Sequence, residues 1–109
     1  PFQVTDVHYI QKDGIYAVVT MECAGHSQEF SAKGNGRLDA VSNAIRIGTC
    51  MDFTVVTYTE HALETGSTSQ AVAYVGLQWG SGAVTWGAGT DSDIMTASVR
   101  ALVSAINNK

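Results

Sequence analysis

A single proline, two cysteines and a charged fraction of 15% leave several architectures short of material in this 109-residue chain. With 45% apolar residues and almost no proline, it is too hydrophobic for a linker or a disordered tail. Two cysteines, Cys23 in a strand-like run and Cys50 in a junction, are too few for a disulfide framework and read as buried free thiols of a cytoplasmic protein. Six basic residues against ten acidic ones give a net charge of -4 with no basic stripe, so nucleic acid is not an expected partner. No apolar run reaches bilayer-spanning length and no leader pattern is read, so no membrane partner is expected either. The start at Pro1-Phe2 reads as that of a piece of a longer chain. Charge this far below the usual quarter suits a surface partly covered by another.

What is present alternates. Phe2 to Ile10, Ile15 to Cys23 and Gln28 to Ala32 read as strands, with turns at Lys12-Asp13-Gly14 and Ala24-Gly25-His26. In the second strand Ala17, Val19, Met21 and Cys23 face one way and Tyr16, Val18, Thr20 and Glu22 the other. The period then changes: Ala40, Val41, Ala44 and Ile45 form one apolar stripe on a helix over Asp39 to Ile47, which Gly48 is expected to end. A second series follows, with strands at Phe53 to Glu60, Gln70 to Trp79 and Ala83 to Trp86, a loop at Thr65-Gly66-Ser67-Thr68-Ser69, and a helix from about Ser92 to Asn107.

The two series recur at nearly constant spacing, which pairs Ala17 with Ala71, Asp39 with Asp93 and Arg46 with Arg100. The last helix is apolar nearly all round, through Ile94, Met95, Ala97, Val99, Ala101, Leu102, Val103, Ala105 and Ile106, so a single packed face does not bury it. The expected fold is therefore α+β: duplicated βββα units with pseudo-two-fold symmetry, their two helices packed between two three-stranded antiparallel sheets. The whole chain, 1–109, reads as one domain, with repeats at 1–50 and 51–109.

Each repeat carries a glycine pair before its helix, Gly34-Asn35-Gly36 and Gly87-Ala88-Gly89. A strand-glycine-helix corner exposes backbone N–H groups that an anionic ligand can satisfy. Asn35 adds a side-chain amide able to donate or accept. A plain strand-to-helix turn would use the same residues. Neither corner is a dinucleotide fingerprint, since Asp39 stands where the third glycine belongs, and neither is followed by the Gly-Lys-Ser/Thr of a phosphate loop. Tyr58 and Ala62, with Leu38 and Val55, offer the lining of a pocket for a small aliphatic side chain, although a tyrosine packing the core is an equal reading.

Enzyme readings find little support. His8, His26 and His61 are scattered, Glu60-His61 lacks the second histidine of a zinc helix motif, and no nucleophile elbow occurs. Asp91 and Asp93 suit helix capping better than acid–base catalysis. No catalytic residue and no metal site is expected in this chain.

Together these segments resemble the C-terminal regulatory domain of 2-isopropylmalate synthase over nearly the whole length. The resemblance is carried by Gly34-Asn35-Gly36 with Leu38-Asp39-Ala40, Tyr58 to Leu63, Gln70 to Val75, Trp86-Gly87-Ala88-Gly89, Asp93 to Ser98, and Ser104-Ala105-Ile106-Asn107. It implies a homodimeric, leucine-binding module giving feedback inhibition of an acetyl-CoA-dependent acyltransferase. The metal-dependent TIM barrel of that enzyme, which condenses acetyl-CoA with 3-oxo-3-methylbutanoate, is not in this sequence. No cofactor is implied for the domain itself beyond the effector leucine. By that resemblance Gly34, Asn35 and Gly36 hold the backbone part of leucine, while Leu38, Val55, Tyr58, Ala62 and Ala71 enclose its side chain. Gly87, Ala88 and Gly89 form a companion corner. Arg37 departs from the usual proline, and Thr90 from an aliphatic residue. A dimerisation module without effector, and the isoleucine-sensing domain of citramalate synthase, are the competing readings.

Overall fold

The computed structural model describes residues 2–65 and 68–109. The chain divides into two compact units, Pro1–Asp52 and Phe53–Lys109, each with three antiparallel strands followed by a helix. Unit one contains β1 (Gln3–Gln11), β2 (Ile15–Cys23), β3 (His26–Gly34) and α1 (Arg37–Thr49); unit two contains β4 (Phe53–Thr65), β5 (Thr68–Trp79), β6 (Val84–Asp91) and α2 (Ile94–Asn107). The sheet orders are β1-β2-β3 and β4-β5-β6, so the middle strand of each unit is its second. The duplicated βββα architecture expected from the sequence is what the chain adopts. Of the expected loop at Thr65 to Ser69, Thr65 ends β4, Thr68 and Ser69 begin β5, and Gly66 and Ser67 lie outside the described residues.

Alternation sets the sheet faces. Ala17, Val19 and Met21 of β2 are buried, as are Ala71, Ala73, Val75, Leu77 and Trp79 of β5. The helices supply the opposing layer within each unit, Ala40, Val41, Ala44 and Ile45 from α1 and Ala97, Ala101, Leu102 and Ala105 from α2, all fully buried. Each large aliphatic side chain removed from water in this way contributes about 1.5–3 kcal/mol. Phe53 and Trp79, opposite each other across β4 and β5, add a tilted ring contact at 5.4 Å between centroids.

Both sheets carry a bulge in their first strand, between Val4 and Asp6 opposite Met21, and between Val55 and Thr57 opposite Leu77. This common irregularity fixes which residues are equivalent. Counting back from Met21 and Leu77, Ala17 corresponds to Ala73 and not to Ala71, one pleat away from the expected pairing. Phe30, Ala32 and Gly34 of β3 then correspond to Gly87, Gly89 and Asp91 of β6, through their partners on β2 and β5. The residues preceding the helices, Gly36 and Asp93, correspond in turn.

Three local expectations are corrected. Gly48 does not end α1, which continues to Thr49 and stops at Cys50 in the left-handed conformation (φ 59°). Glycine is needed at 48 because a Cβ there would stand 2.5 Å from the Phe30 ring. Strand β6 does not stop at Trp86 but runs through Gly87-Ala88-Gly89, whose partners are Val75, Tyr74 and Ala73. Finally, Cys23 and Cys50 are exposed, not buried: Cys23 is the last residue of β2, at the turn to β3, and Cys50 lies beyond its helix.

Candidate functional site

The first corner matches its expected form. Chain reversal at the end of β3 brings Gly34 so close to α1 that a Cβ would meet the Ala40 nitrogen at 2.3 Å, which excludes any larger residue. Asn35 and Gly36 follow, and Gly36 serves as N-cap without a side chain to satisfy the first-turn amides. A Cβ at Gly36 would meet nothing within 4 Å among the described residues, so a side chain could be accommodated there. The Asn35 amide is an exception: it donates to Asp39 Oδ2 at 2.9 Å. The first turn thus presents the amides of Arg37 and Leu38 without a capping side chain, at the positive end of the helix dipole. Asn43 pins the flank by donating from Nδ2 to the Lys33 carbonyl at 2.9 Å. Arg37, where proline would be usual, places its guanidinium 5.5 Å from the Tyr9 ring centroid, so its charge is engaged by β1.

The second corner is different in kind. Gly87 and Gly89 are not at a turn; their places in β6 face the backbone of α2. A Cβ on Gly87 would stand 2.3 Å from the Ala101 oxygen and the Ala105 nitrogen, and one on Gly89 2.4 Å from the Ala97 oxygen. The expected companion corner at Gly87, Ala88 and Gly89 is thus not a strand-to-helix turn but part of β6, paired with Val75, Tyr74 and Ala73 of β5. The true second corner is Ser92-Asp93, and it is closed. Asp93 Oδ2 accepts from the Thr96 amide at 2.9 Å and from Thr96 Oγ1 at 2.8 Å, while Asp91 Oδ2 accepts from the Asp93 amide at 2.9 Å. Two carboxylates at this helix start repel an anion.

The expected lining residues fall into two groups. Leu38, half-buried, stands in the first turn of α1 beside Gly36. Val55, Tyr58, Ala62 and Ala71 belong to β4 and β5. The bulge at Val56 explains how Val55 and Tyr58, three positions apart, share a sheet face: their partners are Leu77 and Val75, both on the helix side. Ala62 lies opposite Ala71, two small residues that leave this end of the face shallow. On the same face, between Tyr58 and Ala62, stands Glu60, opposite Ala73.

Glu60 was not among the residues singled out from the sequence, although its period-two relation to Tyr58 and Ala62 was there to be used. The Tyr58 hydroxyl lies 2.5 Å from Glu60 Oε2 and 2.7 Å from Ser98 Oγ of α2, and Ser98 Oγ lies 2.8 Å from the Ile94 carbonyl oxygen. Desolvation is the main cause that raises the Tyr58 phenol above its ordinary value. The Glu60 hydrogen bond and charge add to it, and the Ser98 bond opposes it. Among the described residues no group of three or more His, Cys, Asp or Glu is arranged to hold a metal ion, and no helix is long and apolar enough to cross a membrane.

A tandem of βββα units with one open and one closed helix start defines a small α+β module whose asymmetry lies at its corners. Residues 2–109 match the family of the LeuA allosteric (dimerisation) domain, and the chain belongs to that family. It is 46% identical over 107 residues to a 2-isopropylmalate synthase of Desulfitobacterium hafniense, covering 98% of this chain and 19% of that protein. A 2-isopropylmalate synthase of Helicobacter hepaticus is 41% identical over 113 residues, covering 95% and 20%. One of Kocuria rhizophila is 36% identical over 109 residues, covering 97% and 18%. The chain therefore spans about one fifth of the length of these curated relatives.

Proposed function

We infer that this chain is the leucine-sensing part of a cytoplasmic 2-isopropylmalate synthase, acting as a homodimer to give feedback inhibition of an attached catalytic barrel. The observation that carries the reading is the uncapped first corner. Where the second helix start is filled by Asp93, the first offers the amides of Arg37 and Leu38 beside a glycine N-cap with no capping side chain. An amino acid's carboxylate is the ligand group such a corner accommodates. Gly34, Asn35 and Gly36 hold the backbone part of the effector, and Leu38, Val55, Tyr58, Ala62 and Ala71 its aliphatic side chain. The 2-isopropylmalate synthases among the relatives favour leucine over isoleucine as the effector.

Binding biases the populations of the conformations available to the attached catalytic part, so it acts only as far as leucine prefers one of them. Titration calorimetry of the protein with leucine, isoleucine and valine tests this. Leucine should bind most tightly, and absence of heat with all three would overturn the effector reading. Gly36→Asp should fold normally, since a Cβ meets nothing there, yet abolish leucine binding by placing a carboxylate in the corner. A dimerisation role without effector draws support from one observation, the Asn35 amide already occupied by Asp39. Sedimentation with and without leucine separates the two: an oligomeric state indifferent to every amino acid favours the structural role.

A further inference from the structure

The helix-free faces of the two sheets differ in chemistry. On sheet one, the register places Asp6, Glu22, Glu29 and Lys33 on that face, opposite in sense to the buried Ala17, Val19 and Met21. On sheet two, α2 packs on one face; the other, from Thr54 to Leu63 of β4, Gln70 to Gln78 of β5 and Val84 to Thr90 of β6, carries no Asp, Glu, Lys or Arg. Trp86, Val84, Leu63 and Tyr74 stand there 54%, 50%, 45% and 43% exposed. Two of them are held in place. A Cβ on Gly76 would lie 2.8 Å from the Trp86 ring, so the indole crosses the bare backbone of β5. Tyr74 is met edge-on by His61, with ring centroids 6.4 Å apart. Exposed aromatic groups without charge among them have the composition of an interface core.

We propose that a second copy of this chain docks on the helix-free face of sheet two, sheet against sheet about a two-fold axis, with Trp86 and Tyr74 as anchors. The inference rests on the homodimer of the function proposed above and assigns its contact. Charge selects the occupant. Each copy carries a net charge of -4, so two copies meet most readily where neither presents a charge, and a two-fold contact requires the face to complement itself. The charged face of sheet one would set like charges against each other. An aromatic platform for nucleic acid needs basic groups around it, and this face has none. Three strands of this length make a face of roughly 25 by 15 Å. Two such faces, with the relief of their side chains, bury roughly 1,000 Å² in total, the lower bound of specific interfaces. The dimer is therefore reversible with concentration, and rings already fixed on the sheet lose little freedom when it forms.

The test is sedimentation velocity over a range of concentrations on the unmodified protein, Trp86→Lys, Val84→Lys and, as control on sheet one, Tyr16→Lys, each checked for native circular dichroism. Trp86→Lys and Val84→Lys should weaken dimerisation at least about thirtyfold, and Tyr16→Lys should leave it unchanged. If Trp86→Lys does not fold, Val84→Lys decides. In parallel, acrylamide quenching of Trp86 emission is followed in Trp79→Phe: the indole should be open to the quencher at low concentration and shielded as the dimer forms. Dimerisation as tight in the two sheet-two variants as in the unmodified protein, or equally weakened in Tyr16→Lys, overturns this inference while the homodimer stands. Shielding at every concentration, which means cover from within the same chain, or no shielding as the dimer forms, overturns it as well. An unmodified protein that stays monomeric throughout overturns the homodimer, and this inference with it.

Discussion

Phe30 and Gly87 occupy the same place in their two sheets, and Gly48 and Ala105 the same place on the helices above them. Unit one puts the ring on the strand and the glycine on the helix; unit two puts glycine on the strand, and α2 descends onto β6 until backbone meets backbone. The consequence reaches the corners. Unit one brings strand and helix backbone together at Gly34, right at the turn, and keeps a bare N-cap. Unit two brings them together in mid-strand, at Gly87 and Gly89, and ends in a turn capped by aspartate. A duplicated fold has thus been divided into a half with an open helix start and a half with a sealed one. The same architecture tolerates both because the packing contact migrated along the helix.

The sharpest way to break this comparison is at Gly89, whose Cβ would lie within 2.6 Å of two backbone atoms of α2 that cannot step aside. Gly89→Val should cost about 3 kcal/mol or more in urea unfolding, against a few tenths for the same change at open Gly25 if its positive φ is discounted by comparing with Gly25→Asn. A loss at Gly89 under about 1 kcal/mol would mean that α2 is not seated as closely as described.

Next in size is the exchange of ring and glycine in unit one. Gly48→Ala gains up to about 1 kcal/mol of helix propensity but drives a methyl into Phe30, whereas in a Phe30→Leu background the gain should emerge. A double-mutant cycle should give a coupling of about 1–2 kcal/mol, and additivity would deny the contact.

A smaller effect contrasts the corners directly. Asp93→Ala removes an acceptor for the Thr96 amide and should cost about 1 kcal/mol, while Gly36→Ala, where no side-chain cap exists, should cost less, about 0.7 kcal/mol. Thermal unfolding of the two variants side by side measures the difference.

The smallest effect is confined to high pH. The folded Tyr58 phenol is raised, by burial first and by Glu60 next, so the folded state holds its proton more firmly than the unfolded chain. Its contribution to stability is complete below the unfolded value near 10 and is lost as pH climbs through the higher folded value. Denaturation midpoints measured across that alkaline window should fall less steeply in Tyr58→Phe.

Much of the fold was legible because its causes are local. Period-two runs located all six strands, β2 to the residue, and the stripe of Ala40, Val41, Ala44 and Ile45 located α1. The open corner was legible as well, since Gly34-Asn35-Gly36 directly precedes that stripe. Glycine itself was the misleading signal. A residue without a side chain marks a turn, a cap or a close approach equally well, and Gly48, Gly87 and Gly89 all proved to be close approaches. Glu60 was overlooked for a related reason: it bonds Tyr58, whose other partner Ser98 lies forty positions further on, and this neighbourhood exists only once α2 lies on the sheet.

The amino-acid order by itself determined the sequence of elements, their inward faces and the bare start of α1, because these follow from hydrophobic periodicity and from backbone freedom over a few residues. Only the tertiary structure decided which residues of the two halves are equivalent, which glycines admit a helix, and which carboxylate meets the Tyr58 hydroxyl. Those depend on strand register and helix approach, set by bulges and by contacts between residues remote in the chain.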